Sequence, residues 1–282
     1  MSVNATAGYE TVEWLSDVGR LQYADYWNDE LEEQRKPFWV LNGDFARMEA
    51  YLNEIGLPAQ LDQAVAVAKN RFGSSFDGVG LDLGAGSLWS APHLLRLGAI
   101  ERLYFVEYSR HRLLKLGPAV LAHYNVPPEK VVLALGDLHH IPMPDASFDF
   151  ALLSASFHHS DEPARLLVEL RRLLKPHGVV LIIGEHITEL TWTVRMRHLA
   201  KFAASRLPAA LQRRLFHRVV HVERWLPRER DVVAGDDRLG DHAYTIGQYR
   251  ALFEGAGFRF EQLRSRQWAY QAFVLTAGSI PS

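Results

Sequence analysis

Short apolar runs rich in β-branched residues alternate with helical segments between residues 79 and 183, and this alternation constrains the fold most strongly. The five runs are Val79–Leu83, Leu103–Val106, Val131–Leu135, Phe148–Leu153 and Val179–Ile183. Strands that alternate with helices favour a parallel sheet with helices on both faces. Two later runs, Phe258–Leu263 and Trp268–Leu275, are separated by four residues and must therefore pair antiparallel. The sequence predicts an α/β three-layer sandwich with a seven-stranded, mostly parallel sheet.

The regions outside this pattern have a different character. The first 58 residues are rich in aromatic and acidic side chains, and spacings such as Trp14–Val18–Leu21 and Phe45–Met48–Leu52 are helical. A basic stretch broken by Pro208 and Pro227 interrupts the alternation later in the chain. We therefore expect four segments: a helical N-terminal cap (1–58), a core (59–186), a basic helical insertion that covers the substrate (187–244), and a C-terminal helix and strands that complete the core (245–282).

Charge is balanced over the 282 residues, with a net value of −2, but not locally. Residues 1–60 carry eleven acidic and four basic side chains, a net charge of −7, whereas residues 191–230 carry ten basic and two acidic ones, a net charge of +8. A basic segment of this kind is typical of a solvated helical face. It is also compatible with an anionic partner: a substrate phosphate or carboxylate, an anionic membrane surface, or the acidic N-terminal segment.

The composition excludes several classes of function. Cysteine is absent, which excludes disulfides, thiol nucleophiles and iron–sulfur clusters. A near-neutral net charge predicts no general affinity for nucleic acid. No apolar run approaches the roughly 18 residues of a membrane span, and the N-terminus lacks a secretory signal. We therefore expect a cytoplasmic protein with no integral membrane contact, either a monomer or a homodimer.

The first predicted core strand leads into Asp82-Leu83-Gly84-Ala85-Gly86-Ser87. Glycines at such a position let the backbone approach a ligand closely, and a following helix offers free N–H groups to it. The dinucleotide-binding version of this loop needs a third glycine three residues after the second, where this chain has Trp89. The loop thus points to a bound cofactor other than NAD.

Five motifs in order make the chain resemble class I S-adenosylmethionine-dependent methyltransferases of the small-molecule type, with a methyltransferase-11-like, Rossmann-like core. They are Leu81–Gly86, Glu107 at the end of the next strand, Gly136-Asp137, Pro142–Asp149, and Ser156–His159 followed by Asp161 and a helix that ends in Leu173–Gly178.

The resemblance implies S-adenosyl-L-methionine as cofactor and S-adenosyl-L-homocysteine as product. It places Glu107 on the ribose hydroxyls, Asp137 on the adenine amino group and Tyr108 on the adenine face. The implied cofactor-binding residues are Asp82, Gly84, Ala85, Gly86, Glu107, Tyr108, Asp137, Leu138 and Ser154. The family often has a glycine where this chain has Leu88, and we expect that side chain to narrow the space near the methionine end of the cofactor.

Histidines cluster after the predicted strands and are the candidate catalytic residues. Methyl transfer displaces a sulfonium leaving group that needs no acid, but a hydroxyl nucleophile benefits from a base with a pKa near neutrality. The candidates are His158, His159, His186 and His242, with Glu185 and Tyr244 beside the last two in sequence. No spacing requires a metal ion, and none is predicted.

The leading interpretation is an enzyme that transfers a methyl group to a small polar acceptor, as in natural-product biosynthesis, with oxygen slightly favoured as nucleophile. The basic segment would suit an acceptor that carries an anionic group. Enzymes that methylate adenine in nucleic acid carry an Asn/Asp-Pro-Pro-aromatic turn where this chain has Ser154-Ala155-Ser156-Phe157. The alternative is a protein of the same fold that binds S-adenosylmethionine for another reaction or only as a structural ligand.

Overall fold

The computed structural model describes residues 4–6, 8–15, 39–187, 192–216, 242, 244–263 and 270–277. Its centre is one mixed sheet of nine strands in the order β1-β2-β5-β4-β3-β6-β7-β9-β8. The strands are β1 (Asn4–Thr6), β2 (Tyr9–Glu13), β3 (Gly78–Leu83), β4 (Ile100–Glu107), β5 (Val131–Leu135), β6 (Phe148–Ser154), β7 (Leu174–Glu185), β8 (Arg259–Leu263) and β9 (Gln271–Thr276).

Strand β3 lies in the middle of the sheet, with β4 on one side and β6 on the other, both parallel to it. The chain runs outward from β3 through β4 to β5 and then returns to the opposite side of β3 to form β6. The loop after β3 therefore leads to one side of the sheet and the loop after β6 leads to the other. Where neighbouring strands lead in opposite directions, a crevice opens at their carboxyl ends.

Helices cover both faces of the sheet. They are α1 (Phe45–Ile55), α2 (Leu57–Phe72), α3 (Ala91–Leu94), α4 (Gly117–His123), α5 (Pro163–Leu173), α6 (Trp192–Ser205), α7 (Ala209–Phe216) and α8 (Ile246–Gly255), with a π-helical turn (Arg112–Leu116) before α4. Gly56 separates α1 from α2 in a left-handed conformation, with φ at 80°. Thr245 begins α8 with a reciprocal capping box to Gln248.

Two hydrophobic clusters, one on each face, hold these layers together. Along β6 the side chains alternate: Phe150 and Leu152 lie in the cluster that includes Leu61 of α2, whereas Ala151 and Leu153 lie in the one that includes Leu166 of α5. This is the period of two that places successive strand residues on opposite faces. The three-layer α/β sandwich predicted from the sequence is therefore confirmed.

All seven predicted strands are present, and β9 is the one among them that runs antiparallel to its neighbours. The predicted count of seven is wrong, because β1 and β2 extend the sheet beyond β5. Helix was therefore the wrong prediction for residues 4–6 and 9–13. Tyr9-Glu10-Thr11-Val12-Glu13 has the β propensity of Tyr, Thr and Val, and it pairs with the edge of β5 that would otherwise be open.

The helical spacing that began at Trp14 was misleading for a related reason. Trp14 directly follows β2, and its backbone N–H donates a 2.7 Å hydrogen bond to the carbonyl of Leu135. The other two positions of that spacing, 18 and 21, lie outside the described residues. The second predicted helical spacing, Phe45–Met48–Leu52, is confirmed by α1. None of the helices that the structure describes is both long and apolar enough to cross a membrane.

Candidate active site

The loop after β3 is shaped by two glycines with different surroundings. Gly84 and Gly86 both have left-handed backbones, with φ at 70° and 56°. A Cβ on Gly84 would lie 2.5 Å from the Cβ of Ser156, so this glycine allows the loop after β6 to pack against the loop after β3. A Cβ on Gly86 would meet no atom within 4 Å. The space beside Gly86 is therefore open to a ligand that approaches the backbone.

Glu107, the last residue of β4, joins this loop to the neighbouring strands. Its Oε2 accepts a 2.7 Å hydrogen bond from the N–H of Gly86, and its Oε1 accepts one of 2.8 Å from the N–H of Ser109. Its backbone carbonyl accepts from the N–H of Gly136, at the end of β5. Each carboxylate oxygen has two acceptor positions, so both retain one for a ligand hydroxyl.

Asp82 lies beneath the loop, 2% exposed, and accepts a hydrogen bond from the hydroxyl of Ser90. Burial raises the pKa of Asp82 to about 7; the bond from Ser90 opposes this shift and the charge of Glu107 adds to it. Its Oδ1 is buried without a hydrogen-bond partner among the described residues, and so is the Oγ of Ser154 at the end of β6. Buried polar atoms of this kind usually have a partner, so both are candidates to be satisfied by a bound polar molecule.

The loop after β5 reaches the same place. The Oδ1 of Asp137 accepts a 2.7 Å hydrogen bond from the N–H of His139, which turns the chain directly after the strand. The Cδ2 of Leu138 comes within 3.8 Å of the position that a Cβ on Gly84 would take. Ala85 is buried inside the glycine loop, and Tyr108 is half-buried directly after Glu107. The residues named for the cofactor thus come from the ends of four adjacent strands.

Leu88 departs from the expectation that its side chain narrows the cofactor space. It keeps the left-handed backbone that a glycine would adopt, with φ at 61°, yet its side chain is fully buried. The leucine methyl groups lie about 3 Å from the position that a Cβ on Gly117 would take, at the start of α4. Gly117 therefore makes room for Leu88, whose side chain belongs to the hydrophobic core beneath the loop.

Three of the four candidate catalytic histidines lie together at the ends of β6 and β7. The ring of His158 lies 4.3 Å from that of His159 and 4.9 Å from that of His186, measured between centroids. The Nδ1 of His158 is 3.2 Å from Oε1 of Glu185, the last residue of β7, and both side chains are buried. The hydroxyl of Tyr249 donates towards the other oxygen of Glu185, at 3.1 Å.

His242 approaches this cluster through its backbone. Its N–H donates a 2.8 Å hydrogen bond to the carbonyl of His158, whereas its ring binds Asp161, with Nε2 and Oδ1 2.8 Å apart. Two residues further along the chain, Tyr244 forms a parallel bridge with Ile187. Burial, together with the charges of Glu185 and Asp161, raises the pKa of Tyr244 to about 12. Among the described residues, no group of three or more His, Asp or Glu side chains is arranged to hold a metal ion.

A comparison with protein families matches residues 81–182 to the model described as "Methyltransferase domain". The matched segment begins one residue before Asp82 and ends within β7, so it contains the glycine loop, Glu107 and the loops after β5 and β6. These residues therefore resemble a methyltransferase domain over about a third of the chain.

Two curated proteins resemble parts of the chain. One is an uncharacterized 37.1 kDa protein in transposon TN4556 of Streptomyces fradiae, 34% identical over 108 residues, which are 38% of this chain and 28% of that protein. The other is a dimethylglycine N-methyltransferase of Parasynechococcus marenigrum, 28% identical over 143 residues, 44% of this chain and 46% of that protein. The chain thus spans less than half the length of either relative.

Solved structures share the fold over more of the chain. A chain of the complex between the Trm112 methyltransferase activator and a candidate methyltransferase of Haloferax volcanii has a TM-score of 0.53 at 17% identity, covering 86% of this chain and 98% of that one. A candidate methyltransferase of Bacillus halodurans has a TM-score of 0.50 at 12% identity, covering 76% and 99%. At such identities the likeness shows the fold alone.

Several residues that complete the site carry no motif of their own. Ser90 donates a hydrogen bond to Asp82, and Tyr249 donates one to Glu185. Tyr249 and Phe253 are four residues apart on α8, a spacing that predicts core packing, and both are fully buried. The spacing predicts the burial of Tyr249, but the partner of its hydroxyl depends on the tertiary fold.

Proposed function

We propose that the protein is an S-adenosylmethionine-dependent methyltransferase that acts on a small molecule. The observation that carries the proposal is the Gly86–Glu107 arrangement, in which an open glycine backbone and a carboxylate with free acceptor positions lie side by side at the switch point of the sheet. The match of residues 81–182 to a methyltransferase domain supports the same function.

The residues present fit the cofactor. The two oxygens of Glu107 suit the paired hydroxyls of a ribose, because a carboxylate can accept a hydrogen bond from each. Asp137 would bind the adenine amino group, and Tyr108 and Leu138 would pack against the adenine ring. The buried Oδ1 of Asp82 and Oγ of Ser154 supply polar atoms that a bound ligand can satisfy. The open position beside Gly86 gives the cofactor room along the loop.

Bound S-adenosylmethionine would supply an electrophilic methyl group on a cationic sulfur. The chain's own contribution is to orient an acceptor in line with that methyl group and to remove the acceptor proton when the nucleophile is a hydroxyl. We propose His158 as the base. It is the histidine of the cluster that is bonded to a buried carboxylate, an arrangement that orients the ring and stabilises its protonated form. His159 and His186, whose rings flank it, would line the acceptor pocket.

The insertion between β7 and α8 is proposed to cover the acceptor. Both of its ends are held beside the histidines: Ile187 forms a bridge with Tyr244, and His242 donates its N–H to the carbonyl of His158. Helices α6 and α7 lie within this insertion, and their sequences contain basic residues and no acidic ones. An acidic group on the acceptor would therefore be favoured. The suggested attraction between the acidic residues 1–60 and the basic residues 191–230 stays a prediction, because residues 16–38 and 217–230 lie outside the described residues.

Nitrogen is the second candidate for the nucleophile. The relative from Parasynechococcus marenigrum is named as a dimethylglycine N-methyltransferase, and a neutral amine needs no base. Oxygen is favoured because the buried His158–Glu185 pair would be superfluous for an amine. A panel of phenols, carboxylic acids and amines distinguishes the two.

The function is tested by incubating the protein with S-adenosylmethionine labelled in the methyl group and with this panel. The proposal expects the label in a product of one acceptor class and one equivalent of S-adenosylhomocysteine for each product. If the protein binds the cofactor but the label stays on it with every acceptor, a non-transferring role is supported instead.

A further inference from the structure

We propose that Glu185 is a positioning residue that, held by Tyr249, fixes the tautomer of His158 and stabilises its protonated form during methyl transfer. The inference rests on the proposed function, because His158 is the base there. It goes further because it joins His158 to two other residues: Glu185, which comes from β7, and Tyr249, which comes from α8.

The geometry of the Glu185–His158 pair determines the tautomer. Glu185 is fully buried, and its Oε1 lies 3.2 Å from Nδ1 of His158, which is itself 4% exposed. The proposal takes Oε1 of Glu185 as the acceptor of this hydrogen bond, which puts the hydrogen of the neutral imidazole on Nδ1. The lone pair is then on Nε2, and this nitrogen is the one that can take a proton from an acceptor.

Tyr249 fixes the carboxylate in turn. Its hydroxyl is 3.1 Å from Oε2 of Glu185 and 3.1 Å from the carbonyl of His186, and its ring is fully buried. Burial and the charge of Glu185 raise the pKa of Tyr249 well above its ordinary value, so the phenol keeps its hydrogen and remains a donor. Both oxygens of Glu185 therefore have partners, which offsets part of the cost of burying its charge.

Other titratable groups lie close to the pair. His159 lies on the same turn as His158, His186 follows Glu185 after β7, and the ring of Tyr244 lies 5.3 Å from that of Tyr249. The ring of His186 also lies 5.0 Å from that of Tyr270. A positive charge on protonated His159 or His186 would disfavour protonation of His158. The negative charge of the Glu185 carboxylate would favour it.

The step that these residues serve is balanced in atoms and charge. The acceptor oxygen forms a bond to the methyl carbon, the bond from that carbon to sulfur breaks, and its electron pair stays on sulfur. The proton of the acceptor hydroxyl passes to Nε2 of His158. The imidazolium that results lies against the carboxylate of Glu185, which stabilises it most at the moment when charge develops.

The test is a nitrogen-15 NMR titration of histidine-labelled protein, in which His158→Gln assigns the signal of His158. Wild-type protein should show the Nδ1–H tautomer when neutral. In Glu185→Gln the pH midpoint of His158 protonation should fall by about one pH unit or more, because the neighbouring negative charge is lost. Glu162→Gln is the matched control: this exposed carboxylate lies on the same loop and pairs with Arg165, so the midpoint should not change.

Tyr249→Phe provides a second variant should Glu185→Gln fail to fold. It removes a donor from Oε2 of Glu185, which leaves more negative charge on the carboxylate, and the midpoint of His158 should rise. Equal midpoints and tautomers in the wild type and in whichever of these variants folds would overturn the inference. The titration needs no acceptor, so it is independent of the labelled-methyl experiment. If methyl transfer fails but the titration behaves as expected, the proposed function is wrong and the pairing of Glu185 with His158 still holds.

The same variants separate positioning from simple support of the fold. With an acceptor in hand, Glu185→Gln should lower kcat by about 10- to 100-fold and shift the acidic limb of the pH–rate profile to lower pH, with S-adenosylhomocysteine affinity unchanged. A loss of thermal stability with an unchanged pH profile would assign Glu185 a structural role instead.

Discussion

The N–H of Gly86 donates a 2.7 Å hydrogen bond to Oε2 of Glu107, which joins the loop after β3 to the end of β4. The two residues are 21 positions apart in sequence, and the strands that carry them are neighbours in the sheet. The bond holds the open backbone of Gly86 and the acceptor positions of Glu107 at a fixed separation. A ligand that uses both therefore meets a site that is already formed, and less of its binding energy is spent on ordering the loop.

Gly86→Ala should weaken cofactor binding by more than its modest cost to the stability of the fold explains. A left-handed backbone costs a non-glycine residue roughly 1 kcal/mol, and the added methyl would occupy the open space beside the loop. Gly73→Ala is the matched control, since Gly73 has a similar φ of 70°, also faces open space, and ends α2. We expect similar losses in free energy of unfolding, and a fall in S-adenosylhomocysteine affinity for Gly86→Ala alone. Equal affinities in the two variants would argue against a cofactor beside Gly86.

Asp82→Asn should change how stability depends on pH. The pKa of Asp82 is raised from 3.8 to about 7 in the folded protein, so the folded state binds this proton more tightly than the unfolded one. Its contribution to stability therefore falls as pH rises from about 4 to about 7, by up to roughly 1.4 kcal/mol per pH unit. The asparagine variant lacks this loss.

Urea unfolding of the ligand-free protein at pH 5 and pH 8 measures this effect. The free energy of unfolding of Asp82→Asn, relative to wild type, should be higher at pH 8 than at pH 5 by about 2 kcal/mol. Glu254→Gln, which alters an exposed carboxylate on α8, provides the control and should show no such difference. A pH-independent difference for Asp82→Asn would show that burial does not hold a proton on this carboxylate.

Leu88→Ala should destabilise the fold and leave cofactor affinity unchanged. Truncating a fully buried leucine costs about 2–5 kcal/mol, and the space left lies beside Gly117 in the core. Leu94→Ala, which truncates another fully buried leucine of the same cluster, is expected to behave alike. Calorimetric titration with S-adenosylhomocysteine and thermal unfolding measure the two properties. A change in affinity for Leu88→Ala alone would place its side chain in the cofactor space.

The four candidate histidines should differ in their effect on turnover of a hydroxyl acceptor. His158→Gln should lower kcat by about 100-fold or more, because a positioned base contributes roughly 10²- to 10⁴-fold. We expect smaller losses for His159→Gln and His186→Gln, which flank it, and for His242→Gln, whose ring binds Asp161. Cofactor affinity is measured for each variant. Near wild-type turnover in all four would exclude histidine base catalysis and leave proximity as the source of the rate.

Much of the architecture follows from the sequence, because few folds are compatible with short apolar runs that alternate with helical segments. The N-terminal strands were missed for a physical reason. Tyr9–Glu13 is a short strand at one side of the sheet, and its identity depends on pairing with β5 rather than on its own pattern. Trp14 then lies at the start of a helical spacing of aromatic residues although it follows a strand.

The candidate cofactor site was easier to predict than the candidate catalytic one. The glycines, Glu107 and Asp137 each end a strand or lie within three residues of its end, so strand order alone brings them together. The grouping of His158 with Glu185 follows from the same logic, but the hydrogen bond between them and the contribution of Tyr249 require α8 to pack on β7. Likewise, Leu88 could be assigned to the core only once Gly117 was seen opposite it.

The central claim is that this chain binds S-adenosylmethionine through the Gly86–Glu107 arrangement, and a calorimetric titration with S-adenosylhomocysteine tests it most directly. Wild-type protein should bind one equivalent. Glu107→Ala removes two charge-assisted hydrogen bonds to the ribose and should lower the affinity at least 10-fold, since each such bond contributes about 1.5–3 kcal/mol. Glu101→Ala, an exposed position on the same strand, should bind as the wild type does. No saturable binding by the wild type, or equal dissociation constants for all three proteins, would contradict the claim.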